Sequence, residues 1–142
     1  MQACVVVEEV SFQSTASAGG QNYGWNTMDG STCFTPPSGC DPDGLVMPVF
    51  EYSHAEGCSI TGGHVYRGTS IPTLTGAYLF NDYMSRRTWA IAKGEDGWKA
   101  TQIIEGAPLA ISSFGELSSG EILACGFEEA YDRIGRLYRL AP

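Results

Sequence analysis

The 142-residue chain is acidic, because sixteen Asp and Glu residues outnumber eight Lys and Arg residues and give a formal net charge of −8 at pH 7. An electrostatic field of this sign repels phosphate groups, so nucleic acids and anionic membranes are not expected as partners. Every apolar run is much shorter than a membrane-spanning helix. The 18 glycines and the hydrophobic fraction of 43% are typical of a folded domain with many turns.

Residues 1–19 contain one predicted strand, Cys4–Phe12, which is rich in valine. A signal peptide is not predicted here, because the N-terminus lacks basic residues and its short valine run is interrupted by glutamates. Cys4, and Cys125 in a later predicted strand, are expected to be buried as small apolar residues.

Residues 20–58 form a predicted long loop, since they show little periodicity and are rich in Gly, Pro, Ser and Asp. A loop of this length in a compact domain is normally functional or packed on itself. Tyr23 and Trp25 are candidate ligand-pocket residues whose rings could stack on a ligand; alternatively, they anchor the loop to the core. Glu51 and His54 are candidate ligands of a divalent cation, although their spacing defines no coordination geometry.

Residues 59–106 contain four predicted strands separated by turns with Gly, Pro and Asn. The strands carry the β-branched and aromatic residues that pack on pleated surfaces. They are Ile60–Arg67, Ala77–Tyr83, Arg87–Ala92 and Trp98–Ile104. Four strands in about forty residues have the size of one four-stranded blade of a β-propeller. A single blade cannot bury both of its faces, so neighbouring blades are expected.

Residues 107–142 repeat the pattern with three predicted strands, Ile111–Gly115, Glu121–Gly126 and Gly135–Leu140. The missing fourth strand is expected to be Cys4–Phe12, supplied either within the chain or by a neighbouring copy. The predicted fold is therefore all-β, a single partial β-propeller domain of about two four-stranded antiparallel blades plus a long Gly/Pro-rich loop.

Five short motifs occur in a fixed order along the chain. They are Gly20–Trp25, Thr61–Gly68, Gly76–Tyr83, Ile111–Glu116 and Gly135–Leu140. Together they resemble the C-terminal part of the glucose/sorbosone dehydrogenase family, which contains soluble pyrroloquinoline-quinone (PQQ) sugar dehydrogenases and hedgehog-interacting-protein-like propellers. The resemblance implies a six-bladed propeller, usually periplasmic or secreted, with PQQ and calcium in the enzymes. At 142 residues the chain holds about two such blades, so it resembles a propeller that begins partway round.

The resemblance also assigns roles to individual residues. It implies a disulfide between Cys33 and Cys40, because the family has a similar pair in this loop; the alternative is two free thiols. Arg67 lies where quinone-dependent members place a basic residue towards the cofactor, and a guanidinium group suits a carboxylated quinone. Alternatively, Arg67 is structural and pairs with Asp82 or Glu116. His64 is a further pocket candidate, or else a histidine hydrogen-bonded at the end of a strand.

Two departures from the family pattern argue against catalysis by this chain alone. The catalytic histidine of the enzymes belongs to an early blade that this sequence does not contain, and Ala110–Glu116 replaces a pair of cofactor-binding arginines. Neither PQQ nor calcium is therefore expected on the isolated chain. The favoured hypothesis is a non-catalytic homodimer or homotrimer that binds a small sugar-like ligand. The alternatives are a PQQ-dependent aldose dehydrogenase reconstituted by oligomerisation and a protein-interaction module.

Overall fold

The computed structural model describes residues 7–128 and 134–142, and the regular structure in these ranges is β apart from one short 3-10 turn at Pro72–Leu74. No helix among the described residues is long and apolar enough to cross a membrane. The described strands form small antiparallel sheets of two to four strands. This confirms the all-β fold class and agrees with a partial propeller. The chain divides into two compact units, Met1–Glu56 and Gly57–Pro142.

The first unit contains four short strands: β1 (Val7–Val10), β2 (Met28–Asp29), β3 (Thr32–Cys33) and β4 (Phe50–Ser53). β1 pairs antiparallel with β4, and β2 pairs antiparallel with β3. The tight turn of the β2–β3 hairpin has Gly30 at a φ of 57°, in the left-handed region that two-residue hairpin turns favour.

Two features of the first unit differ from the prediction. The predicted strand Cys4–Phe12 is represented in the described residues by the shorter strand β1, whose partner is β4. The predicted loop at residues 20–58 contains β2, β3 and β4. These strands have only two to four residues, which is too short for an alternating pattern to be visible in the sequence. Cys4 lies outside the described residues.

The second unit begins with a four-stranded antiparallel sheet in the order β5-β6-β7-β8, the meander expected of one blade. Its strands are β5 (Ile60–Thr61), β6 (Tyr78–Asp82), β7 (Thr88–Gly94) and β8 (Gly97–Ile104). The last three strands agree with the predicted ranges to within two residues, because alternating β-branched and aromatic residues mark them clearly.

The first strand of this sheet is shorter than the prediction. A continuous strand over Ile60–Arg67 is expected from the sequence, but the ladder stops after β5 and resumes only as an isolated bridge between Val65 and Tyr78. Between these two points the backbone of Gly63 lies so close to β6 that a Cβ atom there would be 2.3 Å from the carbonyl oxygen of Leu79. Gly63 therefore allows the backbone to lie this close to β6 at the point where the ladder is interrupted.

A second sheet of three strands completes the second unit, in the order β11-β10-β9. The strands are β9 (Ala110–Glu116), β10 (Ile122–Phe127) and β11 (Gly135–Arg139), close to the predicted ranges. The register between β9 and β10 shifts immediately before Gly126, where a Cβ atom would be 2.2 Å from the carbonyl oxygen of Ala110. Glycine, which has no Cβ atom, therefore permits the two backbones to approach this closely.

The two sheets of the second unit share a hydrophobic core. Leu79 from β6 and Ala90 from β7 pack with Ile122 from β10, and the buried ring of Tyr66 belongs to the same cluster. Phe114 on β9 is partly buried against it. Because burial of each large apolar side chain contributes about 1.5–3 kcal/mol, this core holds the two sheets face to face.

The side chain of Cys125 is exposed, so the prediction that it is buried was wrong. Alternation along β10 accounts for this result, because Ile122 and Ala124 contact the core clusters and Cys125 lies on the opposite face of the strand. Cys58 is also an exposed free thiol.

We predict that Leu79→Ala lowers the free energy of unfolding by about 2–5 kcal/mol, because it opens a void in a core position that is only 1% exposed. Urea denaturation measures the change. The control Leu117→Ala, at a position that is 40% exposed, is expected to change stability by less than about 0.5 kcal/mol. Equal losses in the two variants would contradict the shared core.

Candidate functional site

Three polar side chains of the second unit meet at the interrupted first strand; we refer to His64, Arg67 and Glu116 as the His-Arg-Glu cluster. Glu116 is the last residue of β9, and its carboxylate oxygens lie 3.3 and 3.4 Å from Nη1 of Arg67. The Nδ1 atom of His64 lies 3.7 Å from Oε2 of Glu116. The side chains of His64, Arg67 and Glu116 are 37, 60 and 27% exposed. The cluster can therefore donate and accept hydrogen bonds at the surface.

The backbone beneath the cluster is held by the turn that joins β9 to β10. The amide of Arg67 donates a hydrogen bond of 3.4 Å to the carbonyl oxygen of Gly120. Gly120 has a φ of 80°, and a Cβ atom there would lie 2.5 Å from the carbonyl carbon of Arg67. A larger residue at this position would separate the turn from Arg67 and displace Glu116 from its partner.

A buried carboxylate fixes the segment that follows Arg67. Glu121 is 6% exposed, and its Oε1 accepts hydrogen bonds of 3.0 Å from the amides of Thr69 and Ser70. Its Oε2 accepts a hydrogen bond of 2.9 Å from the Tyr66 hydroxyl, which itself accepts one of 3.0 Å from the amide of Ile71. A buried carboxylate is tolerated because these donors replace water.

The same hydrogen bonds shift the titration of both groups. Donation from Ser70 is the largest effect, and together with Tyr66 and Thr69 it outweighs burial and lowers the pKa of Glu121 to about 2. Burial is the main cause that raises the pKa of the Tyr66 hydroxyl, and its hydrogen bond to Glu121 acts in the same direction. Glu121 therefore stays ionised in the folded protein.

Of the two acidic partners considered for Arg67 from the sequence, the structure places Glu116 beside it. The carboxylate of Asp82 is fully buried and accepts hydrogen bonds from the amides of Ser59 and Ser85. These amides lie just before β5 and just after β6, so Asp82 stabilises the backbone there. His64 accepts a backbone hydrogen bond from Leu79 through its carbonyl oxygen, as a residue at a strand end does. A role of Arg67 and His64 in ligand binding stays a prediction.

The two aromatic candidates lie in the first unit. Trp25 is 72% exposed, and its ring stacks on Phe34 with 4.9 Å between the ring centroids. The hydroxyl of Tyr23 lies 3.5 Å from Oε1 of Gln13. The ring of Trp25 thus packs on Phe34, another residue of the predicted loop, and is exposed to solvent. For both candidate rings, stacking on a ligand stays a prediction.

The two candidate metal ligands, Glu51 and His54, contact different groups. The carboxylate of Glu51 accepts hydrogen bonds from the amide and the hydroxyl of Ser31, and Nε2 of His54 lies 3.0 Å from Oε1 of Glu8. Burial raises the pKa of Glu9, and the charge of Glu51, its cross-strand neighbour, acts in the same direction. No three His, Cys, Asp or Glu side chains within residues 7–128 and 134–142 are grouped as metal ligands.

The predicted disulfide between Cys33 and Cys40 is confirmed, with 5.6 Å between the two Cα atoms. It closes the segment between the end of β3 and the following turn. Because the closed segment is short, the bond restricts the loop locally and adds one covalent restraint to a unit whose strands are short.

The His-Arg-Glu cluster does not by itself fit the quinone and calcium that the enzymes of the resembling family bind. The cluster offers one guanidinium group, and the carboxylate of Glu116 lies directly beside it. A carboxylated quinone would meet this negative charge together with the positive one, so the net attraction would be small. Calcium is bound by several carboxylate or carbonyl oxygens around one point, and the cluster does not supply such a set.

The pairing of Tyr66 with Glu121 was not predicted from the sequence. One signal was present, because Glu121 is an acidic residue at the start of a predicted strand that is otherwise apolar. Such a carboxylate needs several donors nearby if it is buried. The donors come from residues about fifty positions earlier in the chain, so their proximity depends on the packing of the two sheets.

We predict that Glu121→Gln weakens the pH dependence of stability in acid. The folded-state pKa of Glu121 is about 2, below its ordinary value of 4.5, so its contribution is complete above about pH 4.5 and is lost as the pH falls towards 2. Urea midpoints measured between pH 6 and about pH 2 should fall less steeply for the variant than for wild type. The control Glu105→Gln removes an exposed carboxylate. An unchanged slope in Glu121→Gln would contradict the assignment.

No protein-family model matches the chain. The chain is similar to the HIPL2 protein of Arabidopsis thaliana, with 35% identity over 94 residues that cover 58% of this chain and 14% of that protein. It is also similar to the HIPL1 protein of the same plant, with 34% identity over 85 residues, 50% of this chain and 12% of that protein. The chain thus spans only a small part of the length of these relatives. HIPL1 and HIPL2 are themselves related to the sugar-dehydrogenase-like propellers.

Proposed function

We propose that the chain is a segment of a sugar-dehydrogenase-like propeller that is not catalytic alone and associates with copies of itself. The observation that carries the proposal is the outer face of the β9–β11 sheet, the face opposite the shared core. The partial matches to HIPL1 and HIPL2 support the propeller relation. The stacking of two sheets in the second unit supports the mode of association.

The outer face presents apolar side chains from two neighbouring strands. Leu137 on β11 is 65% exposed, and its partner across the strands is the exposed Cys125 on β10. Among the described strands, β11 pairs only with β10, so its other edge can accept hydrogen bonds from another chain. An exposed leucine beside an open strand edge is a feature of association surfaces.

The shared core of the second unit indicates how a second copy would pack. Leu79 and Ile122, from neighbouring sheets, meet in one hydrophobic cluster. A sheet from another copy can cover Leu137 in the same way, which would extend the stack. A homodimer is the commonest closed assembly, whereas a homotrimer of two-blade chains would restore the six blades that the resemblance implies.

The His-Arg-Glu cluster is the proposed site for a small sugar-like ligand. Its carboxylate accepts hydrogen bonds from hydroxyl groups, and its guanidinium group donates them. Arg67 and Glu116 already orient each other, which lowers the entropy that a ligand must remove on binding. The site needs no covalent chemistry for this role.

The reconstituted dehydrogenase and the protein-interaction module are the competing functions. In the dehydrogenase, the cofactor would be held at the centre of the assembled propeller. Addition of PQQ and calcium to the assembled protein, followed by a search for cofactor absorbance in the protein peak, separates this function from the other two. A stoichiometric bound quinone would support the dehydrogenase.

We predict that the chain elutes as an oligomer and that Leu137→Glu weakens its association by at least about tenfold, because a carboxylate is costly to bury in an apolar interface. Light scattering on a size-exclusion column at micromolar concentration measures the mass. The control Met84→Glu adds the same charge at a position that is 47% exposed, in the turn that follows β6. A wild-type monomer of 15.2 kDa would contradict self-association.

We predict that Arg67→Ala weakens the binding of a simple aldose by about tenfold, since it removes a charged hydrogen-bond donor. Calorimetric titration of the assembled protein with glucose measures this loss. Stability should change little, because an exposed ion pair contributes at most about 1 kcal/mol. Arg67→Lys, which keeps the charge, is expected to bind with intermediate affinity. Unchanged affinity together with a loss of stability would show that Arg67 is only structural.

A further inference from the structure

A cavity of about 280 Å³ lies between the two sheets of the second unit. Leu79, Ile111 and Ile122 line it, and each is between 1 and 5% exposed. Phe114 and Ala124 extend the lining along β9 and β10. The cavity is thus bounded by the same side chains that form the shared core, and it is separate from the His-Arg-Glu cluster, none of whose residues lines it.

The apolar lining of the cavity favours an apolar molecule over water. Apolar cavities are poor hosts for water, because a water molecule needs two to four polar partners. A smaller cavity of about 150 Å³ with Leu, Ile and Phe walls stays dry and binds benzene. By proportion, a cavity of this volume has room for an apolar molecule of about ten non-hydrogen atoms.

One buried threonine in the cavity lining carries a hydroxyl group. Thr88 lines the cavity, is 2% exposed, and accepts a hydrogen bond of 2.9 Å from Nδ2 of Asn81. The amide orientation of Asn81 is set by a second donation from Nδ2, to the carbonyl oxygen of Arg87 at 2.7 Å. Because the Thr88 oxygen acts as an acceptor towards Asn81, its own hydrogen can be donated to an oxygen atom of an occupant.

The cavity also has an opening. Tyr138 and Arg139 on β11 belong to its lining, and both are exposed, so the entrance lies on the side of the edge strand. A molecule can therefore enter without separation of the two sheets.

We propose that this cavity binds a small uncharged hydrocarbon-rich molecule with a single oxygen, of the size of a two-ring phenol or a monocyclic terpene alcohol. The hydrocarbon body is buried among Leu79, Ile111, Phe114 and Ile122, and the oxygen accepts a hydrogen bond from Thr88. An anion is disfavoured deep in the cavity, because the only cation among the described lining residues is the exposed guanidinium group of Arg139 at the entrance. This inference does not depend on the proposed sugar-like ligand or on self-association.

The experiment uses the full chain and two probes, 1-naphthol and naphthalene, which differ by one hydroxyl group. Titration is followed by the methyl NMR resonances of Leu79, Ile111 and Ile122. Both probes are expected to give saturable shifts at these methyl groups, with tighter binding of 1-naphthol. Thr88→Val keeps the shape of the side chain. It is expected to lower the affinity for 1-naphthol by about fivefold and to leave the affinity for naphthalene unchanged.

Two further variants locate the binding. Ala124→Leu fills the cavity from β10 and is expected to abolish saturable binding of both probes. The control Ala92→Leu adds the same group on β7 at a position outside the cavity lining and should bind like wild type. Absence of saturable shifts in wild type, or wild-type binding by Ala124→Leu, would overturn the site. Equal losses for both probes in Thr88→Val would overturn the role of the hydroxyl group.

Discussion

The buried carboxylate of Glu121 sets the constraint on which the second unit depends. It accepts hydrogen bonds from Tyr66, Thr69 and Ser70, which lie on the far side of the interface between the two sheets. A charge without water requires all of its donors at once, so the sheets can pack in only one relative position. This position brings the end of β9 to the interrupted first strand, and Glu116 then meets Arg67.

The interruption of the first strand lies next to the His-Arg-Glu cluster. Gly63 allows a close approach to β6, and the backbone after it still pairs with β6 through the carbonyl oxygen of His64. The side chains of His64 and Arg67 are partly exposed beside this point.

Two opposite faces of the β9–β11 sheet have different roles. The inner face combines with the first sheet into a core that borders the apolar cavity, and the outer face carries Leu137 towards solvent. Both follow from strand alternation, because successive side chains of β10 and β11 point to opposite faces.

The sequence by itself determined the all-β class, the ranges of β6 to β11 to within two residues and, through a family resemblance, the bond between Cys33 and Cys40. These properties are local, since alternation and turn residues act over a few positions. Only the tertiary structure decided the partner of β1, the exposure of Cys125, the pairing of Arg67 with Glu116 instead of Asp82, and the donors of Glu121. Each of these depends on residues far apart in the chain, whose proximity arises from sheet packing that no local pattern encodes.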